Sequence, residues 1–188
     1  TVEKTAVQKL AGALKVLVTI TLVCNLVALL LVPGMSLMKG PEELLALTPY
    51  ENPLEVPLRV GIAFVLSWGW VWTAGVYEVV LALFLLFCGI CTAVILWQGR
   101  RVLGTILTGA PFRAENGLRR AAVCCFLIAA AALARVVWGL FYYGSVAPLL
   151  TYNALFVPIF ILGGLLCLVM SALFRQAAEL KAENDLTI

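Results

Sequence analysis

The sequence has few charged residues and no histidine. Of its 188 residues, 12% are charged and 63% are hydrophobic, and the mean hydropathy is +1.06. A soluble domain averages about 25% charged residues, so this composition excludes both a soluble globular fold and a disordered chain. Without histidine, the chain lacks the commonest general base and the commonest metal ligand. We therefore expect an integral membrane protein that is not an enzyme and carries neither a metal site nor a cofactor.

Long uncharged apolar runs predict four transmembrane helices, because the length of each run is close to the length of about 20 residues that a helix needs to cross a bilayer. Pro33 and Gly34 end the first run, and a turn at residues 144–148 divides the long uncharged stretch after Arg135. We therefore predict an all-α membrane protein, with four helices in a bundle that forms one domain over residues 1–188. The predicted spans are residues 12–33, 75–98, 121–143 and 151–175.

The Lys and Arg residues of the connecting segments predict the orientation. The loop over residues 99–120 carries five arginines and one glutamate, whereas residues 35–73 carry four glutamates and two basic residues. The loop is therefore expected in the cytoplasm, together with both termini and the tail at residues 176–188. Lys15 lies at the inner end of the first span and is interpreted as a structural residue that snorkels to the interface.

The segment between the first two spans, residues 35–73, is expected to form a small extracytoplasmic cap. Large apolar side chains occupy the even positions from Leu54 to Trp72, and smaller or polar side chains occupy most odd positions. A period of two is typical of a strand, so we predict a β-hairpin that breaks near Ser67. The rival interpretation is a fifth span, because residues 60–77 are uncharged.

Six cysteines raise the question of redox chemistry. Cys88 and Cys91 form a CxxC pair, which four-helix membrane thiol oxidoreductases also use. That chemistry needs a pair near the outer face and a second pair in an outer loop. Cys88 lies about 21 Å from the outer end of its predicted span, at about 1.5 Å per residue. The outer segment, residues 35–73, contains no cysteine. We therefore interpret all six as packing residues inside apolar spans: Cys24, Cys88, Cys91, Cys124, Cys125 and Cys167.

Two ionisable residues inside the predicted spans require a reason, because each costs at least ~2.5–3.5 kcal/mol in a bilayer. Glu78 and Arg135 are both expected about 9–11 Å below the outer interface, as judged from nearby Trp and Tyr residues. Their equal depth and opposite charge predict an ion pair between the second and third spans. The pair is either a structural clamp or the floor of an outward-facing polar pocket. Such a pocket would include Asn25 and Asn153.

Two polar segments on the predicted cytoplasmic side carry distinctive patterns. The loop segment begins with a proline and a phenylalanine followed by an acid, which is typical of a helix start. In the tail, helical spacing puts Arg175 and Glu179 on one face, so the fourth span should continue for about two turns. The candidate contacts with a partner are Pro111, Phe112, Glu115, Asn116, Arg175, Glu179, Glu183 and Asp185. Alternatively, the loop and the tail pack on each other through their opposite charges.

These two segments also carry a resemblance. The loop reads G-x-P-F-x-x-E-N and the tail reads F-R-Q-x-A-E-L-x-x-E-N-D-L-T-I. The chain thereby resembles a bacterial family of small four-span membrane proteins, a domain of unknown function often encoded beside a Cro-like helix-turn-helix regulator. The resemblance implies a multi-pass protein of the bacterial inner membrane with a regulatory partner, and it supplies no catalytic residues. Arg113 departs from the Ser or Thr that such proteins often place there as a helix cap.

The leading hypothesis is a non-enzymatic membrane sensor or regulator. The outer cap and pocket would respond to a ligand or to the state of the membrane, while the loop and tail would contact the cytoplasmic helix-turn-helix regulator. The alternative is a subunit of a small oligomeric transporter or channel, since one chain has too few polar groups in its spans to line a pore. Membrane lipid and further copies of the chain are the other expected partners, and direct contact with nucleic acid is not expected.

Overall fold

Four long α-helices account for most of the residues that the computed structural model describes. The described residues are 6–37, 57, 61, 65, 67–69, 71–73, 75–108 and 115–185. The helices are α1 (Ala6–Leu37), α2 (Val76–Leu107), α3 (Glu115–Tyr143) and α4 (Tyr152–Asp185). All 4 contain an apolar stretch long enough to cross a membrane. The prediction of an all-α protein with four such helices is therefore confirmed.

The predicted β-hairpin is wrong for the part of the cap that the structure describes. Pro57, Gly61, Val65 and residues 67–69 are helical, and Val71–Thr73 forms a 3-10 helix. The alternation of large and small residues misled the prediction, because the small positions after Arg59 are themselves mostly apolar and create no polar face. In apolar surroundings a helix satisfies its backbone groups within one segment, whereas a hairpin leaves two open edges.

Prolines do not end the helices that contain them. The candidate membrane span of α1 ends at Val32, directly before Pro33 and Gly34, but the helix itself continues to Leu37. In the same way, α4 runs through Pro158. Membrane helices tolerate proline because neighbouring groups satisfy the freed backbone carbonyls. The rest of the predicted cap, residues 38–56, and the loop at residues 109–114 lie outside the described residues.

The chain divides into two compact units, and the smaller one comprises residues 26–89. Within it, the indole N–H of Trp68 donates a hydrogen bond of 3.0 Å to the carbonyl oxygen of Leu30 in α1. Val71 is only 2% exposed, so the 3-10 helix packs inward. Gly89 of α2 lies directly against the side chain of Leu29, where a Cβ atom would overlap it. Within this unit, the C-terminal part of α1 and the N-terminal part of α2 thus approach closely.

The larger unit comprises residues 1–25 and 90–188, and α3 is its most buried helix. In α3, 39% of the apolar stretch is buried, against 11% in each of the other three helices. The buried residues recur at helical spacing along one face: Ala122, Cys125, Ala129, Ala132 and Val136. Because small residues line this face, α4 packs closely against it.

The turn between α3 and α4 is where the sequence predicts it. α3 ends at Tyr143, and Gly144 follows with a φ of +59°, a left-handed conformation that glycine adopts without strain. A short 3-10 helix, Ala147–Leu150, then leads into α4. It packs against α3, since a Cβ atom on Gly139 would lie 3.1 Å from the ring of Pro148.

Candidate functional site

Three apolar runs end around a single cavity. Lys15 precedes the apolar run of α1, Gln98 follows the run of α2 that ends at Trp97, and Arg120 precedes the run of α3. The three residues line one cavity of about 790 Å³, which we call the basic cavity. In a bilayer, charged residues at the ends of apolar runs lie near the headgroups. The basic cavity therefore lies at headgroup depth.

The charge of the basic cavity is mostly positive. Lys15, Arg101 and Arg120 line it together with one acidic residue, Glu115. Within the part of the chain that the structure describes, none of these three cations forms an ion pair with a carboxylate. The first turn of α3 also lines the cavity through Asn116. The positive end of a helix dipole thus faces the same space as the three cations.

Two glycines allow the walls of the basic cavity to approach each other. A Cβ atom on Gly104 would lie 3.6 Å from Nζ of Lys15, so the ammonium group of α1 rests against the backbone of α2. A Cβ atom on Gly117 would lie 3.3 Å from Oε1 of Gln98, which is only 6% exposed. The chain therefore brings a lysine of α1, a buried amide of α2 and the backbone of α3 at Gly117 to one site.

An aromatic residue supports the depth assigned to the cavity. Trp97, directly before Gln98, is 51% exposed, and its ring centroid lies 5.9 Å from the guanidinium carbon of Arg100. Exposed tryptophans of membrane proteins concentrate at the interface between hydrocarbon and headgroups. A cation over the ring is favourable at this boundary, because the arginine reaches the headgroups while the ring contacts lipid.

Next to the cavity, the start of α3 is fastened to α4. The hydroxyl of Ser171, which is 7% exposed, donates a hydrogen bond of 3.2 Å to the carbonyl oxygen of Glu115. One turn further along α4, Nε of Arg175 donates to Oε1 of Glu179 at 3.0 Å, which confirms that these two residues share a face. The carboxylates of Glu179 and Glu115 both stabilise the Arg175 cation. Glu115 therefore connects the cavity to α4.

Within its described residues, the structure gives the other residues predicted to contact a partner no shared site. Asn116 and Glu183 are exposed on α3 and α4, and Asp185 is the last residue of α4. Pro111 and Phe112 lie outside the described residues. The structure thus pairs Arg175 with Glu179 and joins the backbone of Glu115 to α4 through Ser171, while contact with a partner stays a prediction.

Glu78 lies in the first turn of α2. Its Oε2 atom lies 2.7 Å from where a Cβ atom on Gly75 would be, so the carboxylate folds back over the start of the helix. A carboxylate at this end is favourable because it faces the positive end of the helix dipole. Glu78 and Arg135 belong to different compact units, and their ion pair stays a prediction. The polar pocket of Asn25 and Asn153 also stays a prediction.

Four thiols form contacts that cross the larger unit. Cys91 of α2 lies near Cys124 of α3, and Cys125 of α3 lies near Cys167 of α4. None of the six cysteines, all of which the structure describes, forms a disulfide bond. Among the described residues, no three Cys, Asp or Glu side chains are arranged to hold a metal ion. We call Cys91, Cys124, Cys125 and Cys167 the thiol core.

Sequence reasoning missed the basic cavity. It treated Lys15 as a snorkelling residue, used Arg101 only to predict the orientation, and gave no functional role to Gln98 or Gly104. A signal was present, because a positive charge lies at or within a few residues of the inner end of three consecutive apolar runs. The convergence of these groups depends on how the helices pack, which spacing along one chain does not contain.

Four apolar helices and a basic cavity at headgroup depth define the chain as a multi-pass integral membrane protein. It belongs to the family described as "Protein of unknown function (DUF2975)", which matches residues 46–188. The resemblance to a family of unknown function is therefore confirmed, while the neighbouring regulator stays a prediction. No curated protein and no solved structure matches the chain.

Proposed function

We propose that the chain is a non-enzymatic regulator of the bacterial inner membrane, which acts on a partner in the cytoplasm through the end of α4. The supporting observation is the length of α4, which continues as a helix to Asp185 although its apolar run ends at Phe174. An added stretch of about ten residues extends about 15 Å at about 1.5 Å per residue. We call residues 175–185 the α4 extension.

The α4 extension carries an apolar side chain among charged ones. Leu180 is 63% exposed, and its neighbours Glu179 and Glu183 are exposed as well. A short helix is unstable in water by itself, so this one is held by its continuity with the membrane-spanning part of α4. An exposed leucine on a preformed helix is the kind of anchor that enters a groove on a partner protein. The charged neighbours would select the partner.

The base of the α4 extension is connected to the basic cavity. The hydroxyl of Ser171, one turn before Arg175, donates a hydrogen bond to the backbone carbonyl oxygen of Glu115. Glu115 also lines the cavity. A ligand that changes the position of Glu115 would therefore change the support of the extension. This coupling provides a route from the membrane surface to the partner, and the resemblance of the tail suggests a helix-turn-helix regulator as that partner.

Site-specific photocrosslinking in living cells tests the proposal. A photoreactive residue replaces Leu180 in one variant and Leu150 in the control. Both leucines are exposed, at 63% and 89%, but Leu150 precedes the start of α4 and Leu180 lies near its end. We expect Leu180 alone to crosslink a DNA-binding protein, identified by mass spectrometry. Crosslinks to lipid only, or the same protein at both positions, would contradict the proposal.

The sidedness of the α4 extension needs its own measurement. Single cysteines replace Asn184 and Thr108 in a background without the native cysteines, and a membrane-impermeant thiol reagent is added to intact and to permeabilised cells. We expect labelling of both positions only after permeabilisation, since the arginines of the loop favour the cytoplasm. Labelling of either position in intact cells would place the extension on the wrong side for this function.

A further inference from the structure

We propose that the basic cavity binds an anionic phosphate group, and that the headgroup of an anionic lipid supplies it. The inference goes beyond the regulatory function and does not depend on the α4 extension having a partner. It rests on four features of the larger unit: charge, donors, size and depth.

The charge of the basic cavity calls for an anion. Three basic side chains and one acidic side chain line it, so the sum of +3 and −1 is a net charge of +2. Glu115 also interacts with Arg175, which does not line the cavity. Apart from Glu115, the charged residues that line the cavity with each cation are like charges, which is unfavourable near an apolar region. A phosphate group would relieve this repulsion.

The donors of the basic cavity suit phosphate. The guanidinium groups of Arg101 and Arg120 can each donate two parallel hydrogen bonds to phosphate oxygens, and the ammonium of Lys15 adds a mobile point charge. Asn116 and Gly117 of the first turn of α3 line the same space. The start of a helix favours anions through its backbone N–H groups. The donors come from three helices, so they surround a ligand.

The size and depth of the cavity favour lipid as the source. A volume of about 790 Å³ accommodates a headgroup, since small-molecule sites span about 300–1,000 Å³. Basic pockets between transmembrane helices on the cytoplasmic side are sites for anionic headgroups. Next to Lys15, the apolar side chains of Val16 and Leu17 are each 60% exposed, so the acyl chains of a bound lipid have a surface to follow.

Native mass spectrometry of the full chain in detergent tests the site. The test variant combines Lys15→Gln with Arg120→Gln. Its matched control combines Lys9→Gln with Arg119→Gln, which removes the same charge from exposed residues that do not line the cavity. Each protein is mixed with equimolar phosphatidylglycerol and phosphatidylcholine, and the bound lipid is counted. Inorganic phosphate and glycerol 3-phosphate are then added as competitors.

We expect the wild type and the control to retain phosphatidylglycerol in preference to phosphatidylcholine. The test variant should bind it about tenfold more weakly or worse, because charge-assisted hydrogen bonds are lost. Retention of the lipid against millimolar glycerol 3-phosphate supports lipid as the source. Displacement of the lipid by inorganic phosphate or glycerol 3-phosphate supports a phosphate site but overturns lipid as its source. Equal loss in both variants, or no lipid preference in the wild type, overturns the site.

A second variant keeps the test valid if the charge variant does not fold. Gly104→Val adds a side chain on the wall against which Nζ of Lys15 rests, without changing any charge. We expect it to reduce phosphatidylglycerol binding as well, whereas Gly99→Val, with no atom within 4 Å of its Cβ position, should not. Equal binding in these two variants would contradict a ligand inside the cavity.

Discussion

The thiol core and the basic cavity belong to the same compact unit but are built on opposite principles. In the thiol core, small groups let the helices touch, and each thiol meets a thiol of a neighbouring helix. Close to it, Gly164 of α4 lies against the ring of Phe126. In the basic cavity, about 790 Å³ stays open between charged groups that have no carboxylate partner among the described residues.

This difference separates stability from function. A filled, internally satisfied region contributes to the free energy of unfolding, whereas an open cavity lined mostly by like charges costs stability and persists only where it serves another purpose. Substitutions in the two regions should therefore change different observables. Those in the core should lower the melting temperature, and those in the cavity should alter the response to a ligand.

The largest effect is expected at Gly164. A Cβ atom there would lie 2.9 Å from two ring carbons of Phe126, so Gly164→Ala requires the ring or the two helices to shift. Overpacking of this kind costs about 1–3 kcal/mol. At the neighbouring Gly163, a Cβ atom would lie 3.9 Å from Sγ of Cys125, which is an ordinary contact. Thermal unfolding in detergent should show a lower melting temperature for Gly164→Ala and an unchanged melting temperature for Gly163→Ala.

A second substitution identifies the cause. Phe126→Leu removes part of the ring, so the double variant of Phe126→Leu with Gly164→Ala should lose less stability than the two single changes predict together. If the two glycine variants melt at the same temperature, or if the double variant is additive, the close approach of α3 and α4 at Gly164 is wrong.

A smaller effect is expected in the thiol core. Cys125 is 6% exposed, and Cys125→Ala removes a sulfur atom that contacts Cys167. The loss of this packing should cost about 1 kcal/mol, as is usual for a small deletion in a core. Cys24→Ala is the control, because Cys24 is exposed on α1, and it should leave the melting temperature unchanged. Equal effects at the two positions would show that the thiols do not form a core.

The smallest effect on stability is expected at the α4 extension. Glu179→Gln removes the ion pair with Arg175, in which both side chains are largely exposed. Exposed pairs contribute little to the free energy of unfolding, so the melting temperature should not change measurably. The photocrosslink from Leu180 should nevertheless weaken, since the charge beside the anchor is lost. A large loss of stability with an intact crosslink would assign the pair a structural role instead.

Much of the fold follows from the sequence, and the reasons are local. The apolar runs predict the four long helices, because hydrocarbon thickness fixes their length. The spacing of Arg175 and Glu179 predicts their pairing, because one helical turn is a local geometry. The prediction of strands fails for the described part of the cap. Alternation of large and small side chains along a mostly apolar segment such as residues 60–72 does not indicate a half-buried sheet. A hydropathy pattern of period two indicates a strand only where one face of the sheet contacts water.

The site is less accessible to sequence reasoning, because it depends on contacts between helices. Lys15 and Gly104 are distant in the chain, and only packing brings the ammonium group to the backbone of α2. Glu115 is recognisable as a helix start, but its hydrogen bond with Ser171 joins two helices. What the sequence does show is the sign of the charge at the end of each apolar run, and this sign would have been sufficient to predict a basic surface.

The most direct test of the separation between core and cavity is the melting temperature with and without added phosphatidylglycerol. Three proteins are compared: the wild type, Gly164→Ala, and the double variant of Lys15→Gln with Arg120→Gln. With lipid at about a hundredfold excess over Kd, the wild type should gain about 5–10 °C. Gly164→Ala should start lower and gain as much, whereas the charge variant should start no lower and gain little. A full gain in the charge variant, or a lost gain in Gly164→Ala, would contradict this account.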